Sequence, residues 1–117
     1  VYTMVILTKR VAGLSRDEFF EHYRTIHRQL ARELPGLVSY QQAELAHGKQ
    51  AWTAPEAFPH HDALSIYTFD SYDSARAAFD SAQGVTVDAD TGTFIDWPNV
   101  LFIPATTFPG THTPTTR

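Results

Sequence analysis

Apolar and polar residues change rhythm several times along the chain. Tyr2 to Lys9 (YTMVILTK) is a nearly unbroken run of β-branched and apolar residues, which predicts a largely buried strand. After a turn at Val11–Leu14 the spacing becomes helical. Ser15-Arg16-Asp17-Glu18 has the form of a capping box, with the Ser15 hydroxyl accepting from the Glu18 N–H and the Glu18 carboxylate reaching back. Asp17 and Glu18 also suit the positive end of a helix dipole. This helix is expected to run to about Leu34, where Pro35 disfavours helical backbone and Gly36 lets the chain turn. Leu37 to about His47 alternates as a second strand. Gly48 to His61, with two prolines, reads as a long loop of the kind that forms lids and binding loops. Asp62 to Phe69 (DALSIYTF) predicts a third strand. Ser71 or Asp70 can cap a second helix over Tyr72–Gln83, with Tyr72, Ala75, Ala78, Phe79 and Ala82 on one stripe and Gly84 ending it. Val85–Ile95 is ambiguous, since Asp88, Asp90 and Gly92 weaken a helix there. Asn99–Ala105 predicts a fourth strand, with Pro104 marking an end or an edge.

The order β-α-β-β-α-β describes an α+β, ferredoxin-like split βαβ domain: a four-stranded antiparallel sheet with helices on one face. Strands one and three are apolar at both parities, Met4 and Ile6 against Val5 and Leu7, Ala63 and Tyr67 against Leu64 and Ile66. A sheet apolar on both faces but covered by helices on only one needs a partner, and a homodimer joined sheet to sheet supplies it. The domain is expected to occupy residues 1–107. The Thr/Pro-rich tail, 108–117, is expected to be flexible or held by a partner.

Composition narrows the partners. The chain has 117 residues and a net charge of −4, without a run of Lys or Arg. Nucleic acid and anionic membrane surfaces are therefore not expected as partners. No apolar stretch approaches the roughly 20 residues that span a bilayer. The first residues read as a strand rather than as a signal peptide, and a cytoplasmic location is expected. Cysteine is absent, which excludes disulfides, thiolate metal sites and cysteine nucleophiles. Aromatic residues make up 13% of the chain, enough to furnish an apolar pocket as well as a core.

Within that pattern His27 stands out. At about 100° per residue it falls on the same helical stripe as Phe20, Tyr23, Ala31 and Leu34, whereas His22 points about 140° away, toward solvent. A buried imidazole is either a core group satisfied by a carbonyl or water, or a base facing a cavity. In the second case desolvation keeps it neutral, and it can take a proton α to a carbonyl or from a phenol. Tyr23, one turn earlier, could orient that ring or donate to the resulting oxyanion; a core role is the alternative. Tyr40 and Tyr67 could line a pocket or pack. Phe20, Trp52, Phe69 and Trp97 could form an aromatic wall, with Trp52 as a lid residue and Phe20 and Phe69 better suited to the core. Asp96 could pair with a histidine or serve a turn. His60-His61-Asp62 offers adjacent metal-ligand types, but consecutive residues of an extended chain point opposite ways, and no HxH, HxxxH or HExxH spacing occurs, so no metal is expected. Without a glycine-rich phosphate loop or a Gly-x-Ser-x-Gly elbow, nucleotide chemistry and serine hydrolysis are disfavoured, and no cofactor is expected.

The run FFEHYRTIHRQLARELPGLVSY (Phe19–Tyr40) resembles the first-helix signature of the EthD family, within the dimeric α+β barrel superfamily. Tyr23, His27, Leu30, Ala31, Leu34, Pro35, Gly36 and Leu37 fall on its pattern. DALSIYTFDSYDSARAAF (Asp62–Phe79) and GTFIDWPNVLFI (Gly92–Ile103) resemble its later elements. Gln29 departs from the family pattern, which usually has proline there. The resemblance implies a sheet-to-sheet dimeric barrel with a cavity between each subunit's helices and sheet. It also implies a small, cofactor-independent enzyme catalysing isomerisation, dehydration, decarboxylation or cyclisation of an apolar carbonyl, aromatic or polyketide-like compound, with His27 and Tyr23 as catalytic residues. A cofactor-free monooxygenase, or a non-catalytic accessory protein that binds a hydrophobic ligand, is the alternative.

Overall fold

The computed structural model describes residues 1–46 and 61–108. The elements are β1 (Tyr2–Thr8), α1 (Arg16–His22), a π-helical turn (Tyr23–His27), α2 (Arg28–Arg32), β2 (Leu37–Glu44), β3 (Ala63–Phe69), α3 (Tyr72–Asp80), α4 (Ala82–Phe94), a short 3-10 turn (Trp97–Asn99) and β4 (Leu101–Thr106). The strands form one antiparallel sheet in the order β2-β3-β1-β4. This is the expected ferredoxin-like α+β fold. Pro104 sits on the edge strand β4, where its missing N–H is tolerated.

Local signals place the helices. Ser15 and Glu18 make the capping box in full, with Ser15 N–H to Glu18 Oε1 at 3.0 Å and Glu18 N–H to Ser15 Oγ at 3.1 Å. Ser71 caps α3. Gly36 takes φ +75°, the left-handed geometry that turns the chain from α2 into β2. The core between sheet and helices includes Phe19, Tyr23, Ala31, Leu34, Tyr67 and Phe69, all buried. Asp62, 3% exposed, receives the Arg10 N–H at 2.8 Å and the guanidinium groups of Arg10 and Arg16 at 2.7 and 2.9 Å. It thereby ties the entrance of β3 to the residues after β1 and to α1.

Two expectations need correction. Gly84 does not end the second helix. The break falls three residues earlier at Ser81, whose hydroxyl caps a new helix by accepting from Gly84 N–H at 3.1 Å. The ambiguous segment 85–95 then lies almost wholly in α4. Its Thr, Val, Asp and Gly content is poor for an isolated helix, but Val87, Thr91 and Phe94 bury one side of it against the rest of the domain. Tertiary packing outweighs propensity here.

Both sheet faces carry apolar residues, as the parity of β1 and β3 predicts. On the helix side, Ser65, Ile6 and Phe102 align across three strands. On the outer side run two apolar rows, Ile66–Val5–Ile103 and Leu64–Leu7–Leu101. Leu101 and Ile103 are 40% and 46% exposed on this helix-free face. Phe108 is exposed, and the rest of the tail lies outside the described residues.

Candidate active site

A cavity of about 430 Å³ lies between the helix-side face of the sheet and the helices. Its floor comprises Tyr2, Met4, Ile6 and Thr8 of β1 with Ser65 and Tyr67 of β3. Phe79, Val87 and Thr91 close it from α3 and α4, and half-exposed Tyr72, Trp97 and Phe102 stand at its rim. An apolar cavity with a few placed polar groups is the form small-molecule sites take.

His27 is one of those polar groups. It is 3% exposed, lines the cavity, and packs edge-on against Phe94 with ring centroids 5.0 Å apart. Its Nδ1–H donates to Asp90 Oδ2 at 2.9 Å. A carboxylate can only accept, so Asp90 fixes the Nδ1–H tautomer and leaves the Nε2 lone pair for a ligand. Burial pushes the His27 pKa below the ordinary histidine value, against the pull of the Asp90 hydrogen bond and charge; His22 lowers it further. The ring is therefore a neutral base at neutral pH.

His22 does not point freely into solvent as the helical wheel predicts; it is only partly exposed. Its Nε2–H donates to the same carboxylate, 2.8 Å from Oδ1 and 3.0 Å from Oδ2, and its ring lies 4.4 Å from that of Phe94. The reason is the π-turn. Arg28 N–H reaches back five residues to Tyr23 O. The i→i+5 repeat brings His22 and His27, five apart, to one side of the helix. Gln42 of β2 contributes to the distortion: its Nε2–H donates to Tyr23 O at 2.6 Å, a side-chain insertion into the helical ladder.

The remaining expected site residues divide by position. Tyr67 and Trp97 line the cavity. Tyr23 is buried beneath it, stacked on His27 at 6.2 Å, with its hydroxyl donating to Leu64 O at 3.1 Å and 2.6 Å from Ser65 Oγ. Tyr40 packs at a tilt against Tyr67, ring centroids 4.7 Å apart, and its hydroxyl accepts from Gln42 Nε2 at 2.9 Å. Burial raises the pKa of all three phenols, so they stay protonated and act as hydrogen-bonding groups. Phe20 packs edge-on against Phe19 in the core, beneath the Arg16 guanidinium. Phe69 is core, and neither it, Phe20, Tyr23 nor Tyr40 lines the cavity. Trp52 and His60 lie outside the described residues. Asp96 serves a turn, accepting from Asn99 Nδ2 at 2.7 Å. Asp62 is occupied by Arg10 and Arg16, and His61 Nε2 by Asn99 O at 2.8 Å.

Two site residues escaped the sequence reading. Asp90 lay in the segment of ambiguous structure, and a carboxylate one residue before the buried Thr91 on a helix would have been the signal. Thr8 ends β1 on the cavity floor, and its buried Oγ1 has no hydrogen-bond partner among the described residues. An unpaired buried hydroxyl costs about 1–3 kcal/mol. Thr8→Val keeps the shape and removes that cost, so it is expected to raise stability by about 1 kcal/mol in thermal denaturation. The same change is expected to weaken binding of ligands that present an oxygen to Thr8, read by titration calorimetry.

The fold and site define a small ferredoxin-like α+β domain with a histidine–carboxylate pair in the wall of an apolar cavity. The EthD domain model matches residues 12–98, and the chain belongs to the EthD family. Comparison with curated proteins gave no match. Among solved structures the chain is similar to an EthD family protein of Bacillus halodurans, with 16% identity, coverage of 92% of this chain and 100% of that one, and a TM-score of 0.72. It is also similar to a dimeric ferredoxin-like protein of unknown function from Thermobifida fusca (16% identity, 91% and 90% coverage, TM-score 0.67). A third is SnoaB, a cofactor-independent oxygenase from Streptomyces nogalater (11% identity, 93% and 94% coverage, TM-score 0.64). At these identities the likeness is one of fold. No described helix is long and apolar enough to cross a membrane.

Proposed function

We propose that this protein is a cofactor-independent enzyme that moves a proton on a small, largely apolar carbonyl or aromatic compound, with His27 as the general base. The observation that carries the reading is the His27 ring in the cavity wall, its tautomer fixed by Asp90 and its charge disfavoured by burial. In the Michaelis complex Nε2 takes a proton from an activated C–H or phenol. The developing oxyanion is met by the Thr8 hydroxyl on the cavity floor, unpaired among the described residues, rather than by Tyr23, whose hydroxyl donates to Leu64 O, or by Ser65, whose hydroxyl is left to donate to Tyr23. Reprotonation elsewhere gives isomerisation; loss of a β-hydroxyl as water, carrying the proton His27 has taken, gives dehydration; attack on a second carbonyl, whose oxygen takes that proton, gives cyclisation. In decarboxylation CO₂ leaves first and the enolate left behind is protonated through His27, which passes on a proton from water. The test is deuterium wash-in at acidic carbons of cyclic 1,3-diketones and resorcinol-type phenols in D₂O, followed by NMR. Exchange above the buffer rate supports the reading; compounds that bind in the cavity yet exchange at the buffer rate would sink it and favour a ligand carrier. Oxygen uptake during the same incubations distinguishes oxygenation of the carbanion from the redox-neutral outcomes.

The reading includes a homodimer joined through the outer sheet face, supported by the apolar rows centred on Val5 and Leu7. A lysine in the middle of such an interface leaves a charge buried and unpaired. Val5→Lys is accordingly expected to shift the protein from dimer to monomer in sedimentation velocity while retaining its far-UV circular dichroism. A variant that stays dimeric contradicts this mode of assembly.

A further inference from the structure

Asp90 is shared. Its carboxylate is 11% exposed and is bonded by two imidazoles, His27 from the cavity side and His22 from the solvent side. The His27 side chain is 4% exposed and that of His22 25%. We propose that His22 is a positioning residue for the cavity base, acting through Asp90: it clamps the carboxylate in the one orientation that holds His27 with Nε2 toward the ligand. This rests on the reading of His27 as the base and extends it to a residue that touches neither cavity nor ligand.

The geometry supports a clamp rather than an incidental contact. A carboxylate can rotate about its Cβ–Cγ bond, and a single hydrogen bond to His27 would leave that rotation open. His22 Nε2 is within 3.0 Å of both oxygens, so it spans them and fixes the carboxylate plane. Phe94 packs against both rings, at 4.4 Å from His22 and 5.0 Å from His27, and prevents either from swinging away. The π-turn that aligns the two histidines departs from regular α-helical geometry, and such turns recur at functional sites.

His22 lies across the shared carboxylate from His27, and a positive charge there acts to lower the proton affinity of His27. Other ionisable groups nearby are Asp88 on α4 and Arg76 and Asp80 on α3, all on the cavity wall, together with the protonated phenols of Tyr23 and Tyr67.

The experiment is ¹⁵N NMR of the histidine rings across pH 5–8 in the whole protein, comparing wild type with His22→Gln, His22→Phe and Asp90→Asn. Glutamine keeps an N–H donor for Asp90 but cannot titrate. Phenylalanine keeps the packing on Phe94 but makes no bond. The expected results are a single Nδ1–H tautomer for His27 in wild type and in His22→Gln, with the His27 titration moved to higher pH in His22→Gln. A mixture of tautomers is expected in His22→Phe and in Asp90→Asn. A purely structural tie predicts that His22→Phe changes melting temperature but leaves His27 in the single Nδ1–H tautomer; that result overturns the proposal. The NMR arm needs no substrate and stands if no turnover is found. Where turnover is found, His22→Phe is expected to lower kcat by about tenfold with little change in KM, with His22→Gln restoring most of it at alkaline pH.

Discussion

His27→Ala is expected to abolish deuterium wash-in and turnover, a loss of about 10²–10⁴-fold in kcat/KM, while leaving the fold and the proposed sheet-to-sheet dimer intact. Loss of the imidazole removes the ring nitrogen that, among the described residues, faces the cavity with its lone pair free, since Nδ1 is committed to Asp90. The fold survives because Asp90 keeps its bonds to His22; the stability cost is about 1–3 kcal/mol for a lost partner and a small cavity. The pH dependence has a definite sign. The active form is neutral His27, and burial places its pKa below the ordinary histidine value. Activity is therefore flat through neutrality and falls only as pH drops through that lowered value. Asp90→Asn removes an interaction that raises the His27 pKa, so the acid limb moves to still lower pH while the plateau falls because the tautomer is no longer fixed. Stability follows the same linkage. The unfolded chain takes up a proton at the ordinary value and the folded chain only below it, so stability is fully present above the ordinary value and is lost as pH falls between the two. Unchanged wash-in by His27→Ala would remove the histidine from the mechanism.

The parts of this site that local chemistry specifies could be seen in the sequence. Strand alternation, the Ser15–Glu18 capping box and the Pro35-Gly36 stop placed His27 on a buried stripe. Parity along β1 and β3 indicated a sheet apolar on both faces. The partners of His27 could not be found in this way, because each depends on a long-range event. Gln42, nineteen residues on, bonds Tyr23 O in the middle of the first helix; the wheel assumed a regular repeat and so sent His22 to solvent. Asp90, sixty-three residues on, lies in a helix whose composition does not favour one. Thr8 looked like one more β-branched strand residue, and only the cavity above it distinguishes its hydroxyl.

Gly84→Ala is expected to destabilise the protein by about 3 kcal/mol, which for a chain of this size lowers the melting temperature by roughly 10–20 °C. A glycine before an ambiguous segment looks like a helix stop, but here it sits in the first turn of α4 because α3 and α4 meet too closely for any side chain. A Cβ at Gly84 would overlap the backbone carbonyl oxygens of Phe79 and Ala78 at the end of α3. Backbone cannot rotate aside as a side chain can, so α4 has to tilt or lose its Ser81 cap. Either movement carries Asp90 with it, and His27 is expected to lose its fixed tautomer along with the stability. Gly92→Ala is the internal control. It lies on the exposed side of the same helix, and its Cβ would meet nothing closer than Trp97 Nε1 at 3.5 Å, an ordinary contact. There alanine improves helix propensity and is expected to stabilise by about 0.5–1 kcal/mol. Opposite signs from the same substitution, eight residues apart in one helix, would assign the effect at Gly84 to the α3–α4 contact; a stabilised Gly84→Ala would show that the two helices can separate without cost and that Asp90 is not held by their packing.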